Sequence, residues 1–561
     1  MAGTVVVNVV KPNSYQDSVT LMQMAVHLRE QEGIEDAALM MGAEPNKELL
    51  QEAGLLTREG RSAGPNDLIV ALRGTEEAVQ KASGQVEQML IGLGAQLRLL
   101  VAVRSASQVL KGREVAGTEG GHLQKLPHTL SGGLTVLPEA NLALISVPGI
   151  YAAAEARKAL QQGLHVMLFS DNVSVEDEVA LKRMAAERGL LMMGPDCGTA
   201  IIGGVPLGFA NAVRRGPVGV VGASGTGMQE VTVLVHRYGG GISHAIGTGS
   251  RDLSASVGGL MTLAAMKALL NDPATSVLVV LSKPPHPEVA RRVIEAASSA
   301  AKPVVLAFPG MDGEGLLPEE ARPASTPMLA RTLEEAAMRA VQLAGAGVPP
   351  GADTRDRGLE EIALREASKL APTQRYVRGL FSGGTFCYEA MLTLRQALGP
   401  VYSNTPLVPE WALPRPAHAH GRHACLDLGS DEFTLGRPHP MIDMSLRAKR
   451  MLEEAADPEV AVLLLDVVLG YGAHPDPAGE LAPAIVAAKE RAASGGRYLA
   501  VVAHVCGTEG DPQGLERQER ALAAAGAVLA PSNASAARLA ALIASTPGDD
   551  GSGQKPTHPT A

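Results

Sequence analysis

Two short glycine-rich loops carry the residues best suited to binding an anion. The first, GASGTG at 222–227, follows the apolar run PVGVV and supplies two hydroxyl groups. Glycine lets backbone amides approach a ligand closely, and the helix that follows adds unpaired amides and the positive end of its dipole. This combination is typical of a phosphate-binding loop. Its candidate binding residues are Ser224, Gly225 and Thr226.

The second loop, SGGT, follows the run RYVRGLF and offers the same groups from Ser382, Gly383, Gly384 and Thr385. A glutamate stands four residues after the threonine in both loops, Glu230 in the first and Glu389 in the second. Four residues make about one helical turn, so we expect each carboxylate beside the mouth of its loop, where it is a candidate catalytic group.

The alternative for either loop is a serine or threonine cap on an ordinary helix. The repeated threonine–glutamate spacing favours binding over this alternative. Neither loop has the Gly-Lys-Ser/Thr of a Walker motif, and neither fits the G-x-G-x-x-G dinucleotide fingerprint.

Further candidates stand in the turns GPDCGT at 194–199 and GTGSRD at 247–252. Arg251 and Asp252 follow a strand at the end where ligands of α/β sheets bind, and simple surface charges are the alternative. Asp196 and Cys197 are further candidates for substrate binding. A nucleophilic role for Cys197 requires a lowered pKa, and a small buried thiol is the favoured interpretation. His286 and His504 stand at strand ends and are weaker acid–base candidates.

The stretch HAHGRHAC holds His418, His420, His423 and Cys425 and raises the question of zinc. Structural zinc uses ligand pairs on separate turns, and this cluster has no second CxxC or HxxxH, so we expect a polar loop and no metal. The four cysteines form no CxxC pair, which favours free thiols in a reducing compartment.

Composition excludes several classes of protein. The 561 residues carry a net charge of −10, which argues against a nucleic-acid partner. No apolar stretch reaches the length of a membrane span, and the first residues lack the pattern of a signal peptide. The expectation is a cytoplasmic protein of several domains.

Strands alternate with helices along most of the chain, which predicts an α/β protein with several parallel sheets of the Rossmann or flavodoxin-like type. A small α/β or ferredoxin-like domain is expected at 1–110, and a polar connector at 105–133. The remaining segments are a partial CoA-binding-like Rossmann domain at 134–213, a ligase-like flavodoxin domain at 214–310, a partly helical linker at 311–373, a second ligase-like flavodoxin domain at 374–545 and a disordered tail at 546–561.

The two flavodoxin-like domains are an internal repeat. The segment 374–399 resembles 216–240, and DPEVAVLLLDVVLG resembles DPATSVLVVLSKPP. The repeat predicts two parallel sheets whose glycine loops face a shared cleft, because ligands lie at the carboxyl ends of such strands.

The motifs resemble those of the FdrA family, relatives of the succinyl-CoA synthetase and ATP-citrate lyase group. SGTGMQE matches the phosphate loop of these ligases, GPDCGT resembles their GPNCPG turn, and GTGSRD their GIGGDP turn. The stretches KPNSYQDS, MMGAEPNKELL, SGGTFCYEA and LGSDEFTLGRPHPMID resemble FdrA in particular. The resemblance extends to about residue 545, and it implies the ligase fold with CoA or a nucleotide as candidate cofactor.

One departure separates the chain from those ligases. They carry the phosphoryl group on a histidine in a Gly-His-Ala-Gly-Ala stretch, whereas this chain reads FPGMDGEGLLPEEARP there, without histidine. Two phosphate-binding loops without a phosphohistidine suit a substrate that is already an acyl phosphate, such as carbamoyl phosphate. The resemblance adds that FdrA proteins are linked to allantoin and purine breakdown as a subunit of oxamate carbamoyltransferase, which implies partner subunits or a homo-oligomer. The alternatives are an acyl-CoA ligase with an altered phosphoryl relay and a non-catalytic phosphate-binding scaffold.

Overall fold

The chain divides into two compact units, one comprising 1–141 with 435–438 and the other comprising the remaining residues. The computed structural model describes 4–89, 127–311, 327–347, 355–414, 419–434 and 438–545, except positions 13, 15–17, 30, 66, 87, 88 and 128. The predicted connector at 105–133 lies largely outside the described residues, and the predicted tail at 546–561 lies wholly outside them.

The first unit contains a small antiparallel sheet in the order β1-β3-β2, with helices supplying the other side of its core. Strand β3 is buried along most of its length because it is central and apolar. The elements are β1 (Thr4–Lys11), α1 (Ser18–Arg29), β2 (Ile34–Met41), α2 (Glu44–Glu52), α3 (Arg58–Ser62), β3 (Leu68–Thr75), α4 (76–86) and α5 (Leu130–Val136).

The second unit begins with a three-stranded parallel sheet in the order β4-β5-β6. Alternating strands and crossover helices produce this arrangement, as the sequence predicts. The elements are β4 (Leu142–Ile145), α6 (Gly149–Gln161), β5 (His165–Leu168), α7 (Val175–Glu187) and β6 (Met192–Met193).

A seven-stranded sheet follows, in the order β13-β12-β11-β9-β10-β7-β8. Its pairings are parallel except those that join β7 to β10 and β8 to β7. The strand that leads into the first glycine loop, β9, is central. The elements are β7 (Thr199–Ile202), β8 (Val205–Gly208), β9 (Arg215–Gly222), α8 (Gly225–Arg237), β10 (Ile242–Gly247), α9 (Leu260–Asn271), β11 (Val277–Leu281), α10 (Pro287–Ser298), β12 (Val304–Ala307), β13 (Met328–Ala330) and α11 (Leu333–Leu343).

A six-stranded, fully parallel sheet completes the unit, in the order β15-β16-β14-β17-β18-β19. All nine residues of β17 are buried, as expected for a central strand covered on both faces. The elements are α12 (Arg355–Ala367), β14 (Tyr376–Phe381), α13 (Gly384–Leu398), β15 (Val401–Tyr402), a 3₁₀ turn (Pro409–Trp411), β16 (His423–Asp427), α14 (Asp431–Thr434), α15 (Ser445–Ala455), β17 (Val460–Val468), α16 (Pro477–Ser494), β18 (Ala500–Cys506), α17 (Leu515–Ala524), β19 (Val528–Ala530) and α18 (Asn533–Ser545).

The two larger sheets show the predicted repeat. Strand β9 and helix α8 of the first correspond to β14 and α13 of the second, and α11 corresponds to α18. Helices α8, α13, α11 and α18 pack against one another, and Val233 of α8 belongs to a core cluster formed mainly by the second sheet and its helices. The seven-stranded sheet with its helices and the six-stranded sheet with its helices form two halves of the second unit. These four helices join the two halves.

The segment 311–373 differs from the expected linker. Strand β13 pairs with β12, and α11 buries Leu333, Ala336, Ala340 and Val341 in the core of the seven-stranded sheet. An apolar strand of three residues is too short to stand out in a sequence, and it becomes a strand here because β12 offers an unpaired edge. The alanine-rich stretch is therefore largely part of the fold.

Among the described residues, no helix combines the length and the apolar character needed to cross a bilayer.

Candidate functional site

The first glycine loop keeps open hydrogen-bonding groups at the start of α8. Ser224 caps the helix, its Oγ accepting from the amide of Gly227 at 3.1 Å. Within the described residues, the amides of Gly225 and Thr226 have no hydrogen-bond partner. Residues 224–226 are also partly exposed. The loop thus combines a helix cap with free donors for an anion.

The second glycine loop has lost part of this capacity to a carboxylate of its own chain. Asp466 of β17 accepts from the Ser382 amide at 2.8 Å, the Ser382 hydroxyl at 2.6 Å and the Gly383 amide at 3.2 Å. The same carboxylate pairs with Arg447 at 3.0 Å, and both side chains are buried. The donors of Ser382 and Gly383 are therefore already used, although both residues were predicted to bind substrate.

The two loops, which the repeat predicts to face a shared cleft, contact each other directly. The hydroxyls of Ser224 and Thr385 are hydrogen-bonded at 2.5 Å. A Cβ at Gly383 would lie 2.8 Å from Oγ1 of Thr226, so only glycine allows this approach. The starts of α8 and α13 therefore meet at one point.

Both candidate catalytic glutamates lie away from the mouths of the loops, which corrects the expectation from their spacing. Glu230 and Glu389 are each only 1% exposed. Glu389 accepts from the Leu333 amide at 2.7 Å, at the start of α11, and from Nδ2 of Asn533 at 2.8 Å. Glu230 accepts from the Asn533 amide at 3.0 Å, at the start of α18. Each glutamate thus joins its own helix to a helix of the other half.

Glu230 and Glu389 lie away from the loop mouths because of the way α8 and α13 pack. One turn beyond the loop, the helix face turns from the mouth into the contact between the two halves. The remaining oxygen of Glu230 lies 2.8 Å from Nε2 of His504, and Nδ1 of His504 lies 3.2 Å from the carbonyl of Ala530. A carbonyl only accepts, so Nδ1 carries a hydrogen, and the contact with Glu230 requires one further proton between the two groups.

The electrostatics of the two glutamates differ. Burial disfavours the ionised form of Glu230, but the charge and hydrogen bond of His504, with the Asn533 amide, lower its pKa below the ordinary value. Among the described residues Glu389 has no cationic partner, and burial raises its pKa to about 7, to which the nearby Glu230 and Glu334 also contribute. One carboxylate is therefore held ionised and the other titrates near neutrality.

Two residues that the sequence analysis did not select lie beside the loops. Lys283 follows β11, and Asp427 ends β16. A Cβ placed on Gly384 would lie 2.6 Å from Oδ2 of Asp427 and 3.1 Å from Nζ of Lys283. Their positions after parallel strands were the available signal, since strands β11 and β16 lie next to the loop strands β9 and β14.

Two further candidate residues, Arg251 and Asp252, belong to a network of charged side chains. Lys182 is fully buried and bonds Asp252 at 2.8 Å and Glu178 at 2.7 Å, and Arg251 bonds Glu178 at 2.9 Å. Asp252 also accepts from the hydroxyl of Thr262 at 2.7 Å, so its oxygens are used within the fold.

Asp196 and Cys197 differ in accessibility. Asp196 is an exposed residue, yet desolvation by surrounding protein raises the pKa of its carboxyl to about 6, opposed by a hydrogen bond to Ser250 and reinforced by Asp171. Cys197 is buried, and burial raises its pKa to about 12. A thiol in this state is not a nucleophile at neutral pH.

Among the described residues, one group of side chains has the geometry of metal ligands, Glu230, His504 and Cys506. All three are buried, and the proton shared by Glu230 and His504 accounts for their contact. In the histidine-rich stretch, Nδ1 of His423 accepts from the Val377 amide at 3.2 Å, and Cys425 faces the core. His418 lies outside the described residues.

Three family models match the chain. The model for a CoA-ligase matches residues 380–543, the model for a CoA binding domain matches 213–310, and the model for the AllF heavy metal-associated domain matches 4–98. The two mainly parallel sheets, their glycine loops and these matches define a CoA-ligase-like α/β protein with a small N-terminal domain.

The uncharacterized protein YahF of Escherichia coli K12 is 46% identical over 539 residues, which are 95% of this chain and 97% of YahF. The chain belongs to the family of YahF, the FdrA family, whose relatives include succinyl-CoA synthetase. The ADP-forming succinate–CoA ligase subunit alpha-2 of Trichomonas vaginalis is 28% identical over 150 residues, 26% of this chain and 47% of that protein. Among solved structures, the dinucleotide-forming acetyl-coenzyme A synthetase 1 of Ca. Korarchaeum cryptofilum shares 17% identity over 72% of this chain and 82% of its own, with a TM-score of 0.30.

The descriptions of the matched family models imply two kinds of ligand, a heavy metal and CoA. Segment 4–98 contains no cysteine, so it cannot supply the thiolates that soft metals prefer. The free amides at the start of α8 suit any phosphate-bearing group, the pyrophosphate of CoA included. CoA would bring a thiol as acyl acceptor, and Gly225 and Thr226 would hold its phosphates.

Proposed function

We propose that this protein transfers a carbamoyl group, or a related acyl group, from an acyl phosphate, and that the first glycine loop binds the phosphoryl end. The observation that carries the proposal is the unused set of donors at the start of α8. The amides of Gly225 and Thr226 and the Thr226 hydroxyl are accessible where the two loops meet. The lack of histidine at the ligases' carrier position favours a substrate that arrives already phosphorylated.

The reaction follows from this placement. An acceptor nitrogen attacks the carbonyl carbon of carbamoyl phosphate and forms a new C–N bond, while the C–O bond to phosphate breaks. The leaving phosphate gains negative charge, and the loop donors and the dipole of α8 stabilise it. The nitrogen loses one proton, so the products are the carbamoylated acceptor, phosphate and that proton. The match to the AllF domain and the resemblance to FdrA proteins support oxamate as acceptor.

A binding and turnover experiment tests the proposal. The protein, with any subunits that co-purify, is given carbamoyl phosphate and oxamate, and phosphate release is followed. Carbamoyl phosphate, inorganic phosphate, CoA and ATP are compared in separate thermal melts, because a ligand that binds only the folded state raises the melting temperature. We expect stabilisation by carbamoyl phosphate and phosphate, and release of phosphate that depends on oxamate.

Thr226→Val tests the loop itself, because it removes one hydroxyl and keeps the branched shape. Loss of one hydrogen bond to a charged group costs about 1.5–3 kcal/mol, roughly a ten- to hundred-fold fall in kcat/KM. Thr232→Val is the matched control on the same helix, since within the described part of the chain its hydroxyl bonds only the carbonyl of Gln229. Full activity in Thr226→Val would show that the loop acts only as a helix cap. Stabilisation by CoA and ATP with none by carbamoyl phosphate would favour the acyl-CoA ligase alternative.

A further inference from the structure

The environment of Gly384 contains two charged groups, Asp427 and Lys283, that form no ion pair among the described residues. Asp427 is 6% exposed. Its Oδ1 accepts from the Gly429 amide at 3.1 Å, while its Oδ2 has no hydrogen-bond or ion-pair partner among the described residues. Lys283 is exposed, and within the same described ranges its ammonium forms no hydrogen bond or ion pair.

Both groups are directed at one position. The point where a Cβ of Gly384 would lie is 2.6 Å from Oδ2 of Asp427 and 3.1 Å from Nζ of Lys283. Gly384 is the first residue of α13, and its amide is also without a partner among the described residues. A proton acceptor, a cation and a free amide therefore lie close together around Gly384, beside the Ser224–Thr385 contact.

Opposing effects act on the pKa of Asp427. Burial raises its pKa, Lys283 opposes this shift, and the carboxylates of Asp466 and Asp431 add to it. Asp466 is occupied by the second loop and by Arg447. A nearly buried carboxylate with a free oxygen disfavours folding, and such groups persist mainly where function needs them.

We infer that Asp427 accepts the proton of the acceptor nitrogen and that Lys283 faces the phosphoryl oxygens of the same acyl phosphate. The inference rests on the proposed function and assigns the roles that the buried Glu230 and Glu389 cannot fill. As the new C–N bond forms, the N–H bond breaks and its proton moves to Oδ2 of Asp427. The electron pair of the breaking C–O bond leaves with phosphate, whose charge Lys283 and the amide of Gly384 offset.

The two loops thus have different tasks. The first, at the start of α8, binds the phosphoryl group. The second has its inner amides closed by Asp466 and presents its outer end, at Gly384, to the reacting atoms. The acceptor is accordingly a compound with an ionisable N–H, such as an amine or a carboxamide, and one bound phosphoryl group per chain is expected rather than two.

Asp427→Asn is the decisive variant, because asparagine keeps the shape and the contact with the Gly429 amide but takes up no proton. We expect kcat with carbamoyl phosphate and oxamate to fall roughly 10²- to 10⁴-fold. The melting temperature should stay equal or rise, because a disfavoured charge has been removed. Glu360→Gln, which removes the same single charge at an exposed position on α12, is the control and should retain activity.

Gly384→Ala is the second variant, which crowds Asp427 and Lys283 without altering any charge. Its methyl group would displace the Asp427 side chain, and we expect turnover to fall at least tenfold while α13 remains folded. Lys283→Gln should raise KM for carbamoyl phosphate more than it lowers kcat.

The outcomes separate the two proposals. If the wild type is active and Asp427→Asn retains kcat within threefold, the role of Asp427 is wrong and the proposed function stands. If Asp427→Asn does not fold, Gly384→Ala decides, and wild-type turnover in that variant overturns the inference. If the wild type releases no phosphate from carbamoyl phosphate with oxamate, the proposed function fails, and the inference fails with it.

Discussion

The buried pair of Glu230 and His504 gives the sharpest stability prediction. Glu230→Ala would remove the partner of His504 and leave the Asn533 amide at the start of α18 unbonded. Breaking a buried pair by deleting one partner costs about 3–5 kcal/mol. Glu230→Gln should cost about 1 kcal/mol or less, because its amide can donate to Nε2 of His504 while its oxygen accepts from Asn533.

Urea unfolding of the full chain at pH 7.5, followed by circular dichroism, measures both variants. Glu360→Gln, at an exposed position on α12, is the control and should change the free energy of unfolding by less than about 0.5 kcal/mol. The pKa of Glu230 is lowered in the fold, so its stabilisation is complete above its unfolded value and is lost as pH falls through the folded value. Equal losses in the alanine and glutamine variants would refute the hydrogen-bond reasoning, and a loss below 1 kcal/mol in the alanine variant would refute the pair.

Three further predictions concern other buried groups. The pKa of Glu389 is raised from 4.5 to about 7, so the folded state favours its protonated form. The free energy of unfolding should therefore fall by about 3 kcal/mol between pH 4.5 and 7. Glu389→Gln should flatten this pH dependence, as measured by urea melts at pH 5 and 8. Asp466→Ala leaves Arg447 unpaired and should cost about 3–5 kcal/mol, seen as a lowered urea midpoint; an unchanged midpoint would contradict the buried pair. Burial raises the pKa of Cys197 to about 12, so mass spectrometry should find it unmodified by iodoacetamide at pH 8 in the folded protein and modified in urea, and rapid labelling of the folded protein would show an open site.

Local pattern was sufficient for the elements and the repeat. Alternating apolar strands and crossover helices predicted parallel sheets, and the similar loop segments predicted two related halves whose loops face a shared cleft. These features follow from residues close together in the chain, where burial and hydrogen bonding impose a periodic pattern. The strand β13 was missed because three apolar residues carry too little pattern.

The arrangement of the candidate site could not be predicted from residue spacing. The interval from Thr226 to Glu230 correctly places both on one helix, but it does not say which face of that helix is covered. Helix α8 packs between the halves, so Glu230 meets His504, 274 positions away in the chain. Likewise, nothing in the SGGT loop indicates that Asp466 takes up its first two amides.

The sequence by itself determined the α/β class, the repeat, the family and the two glycine loops, because each depends on short stretches of chain. The tertiary structure alone decided which loop donors stay free, which carboxylates are buried as helix partners, and that Lys283 and Asp427 approach Gly384 from different strands. Those facts depend on side chains that are distant in sequence, and their charge and solvation are set only when the halves pack together.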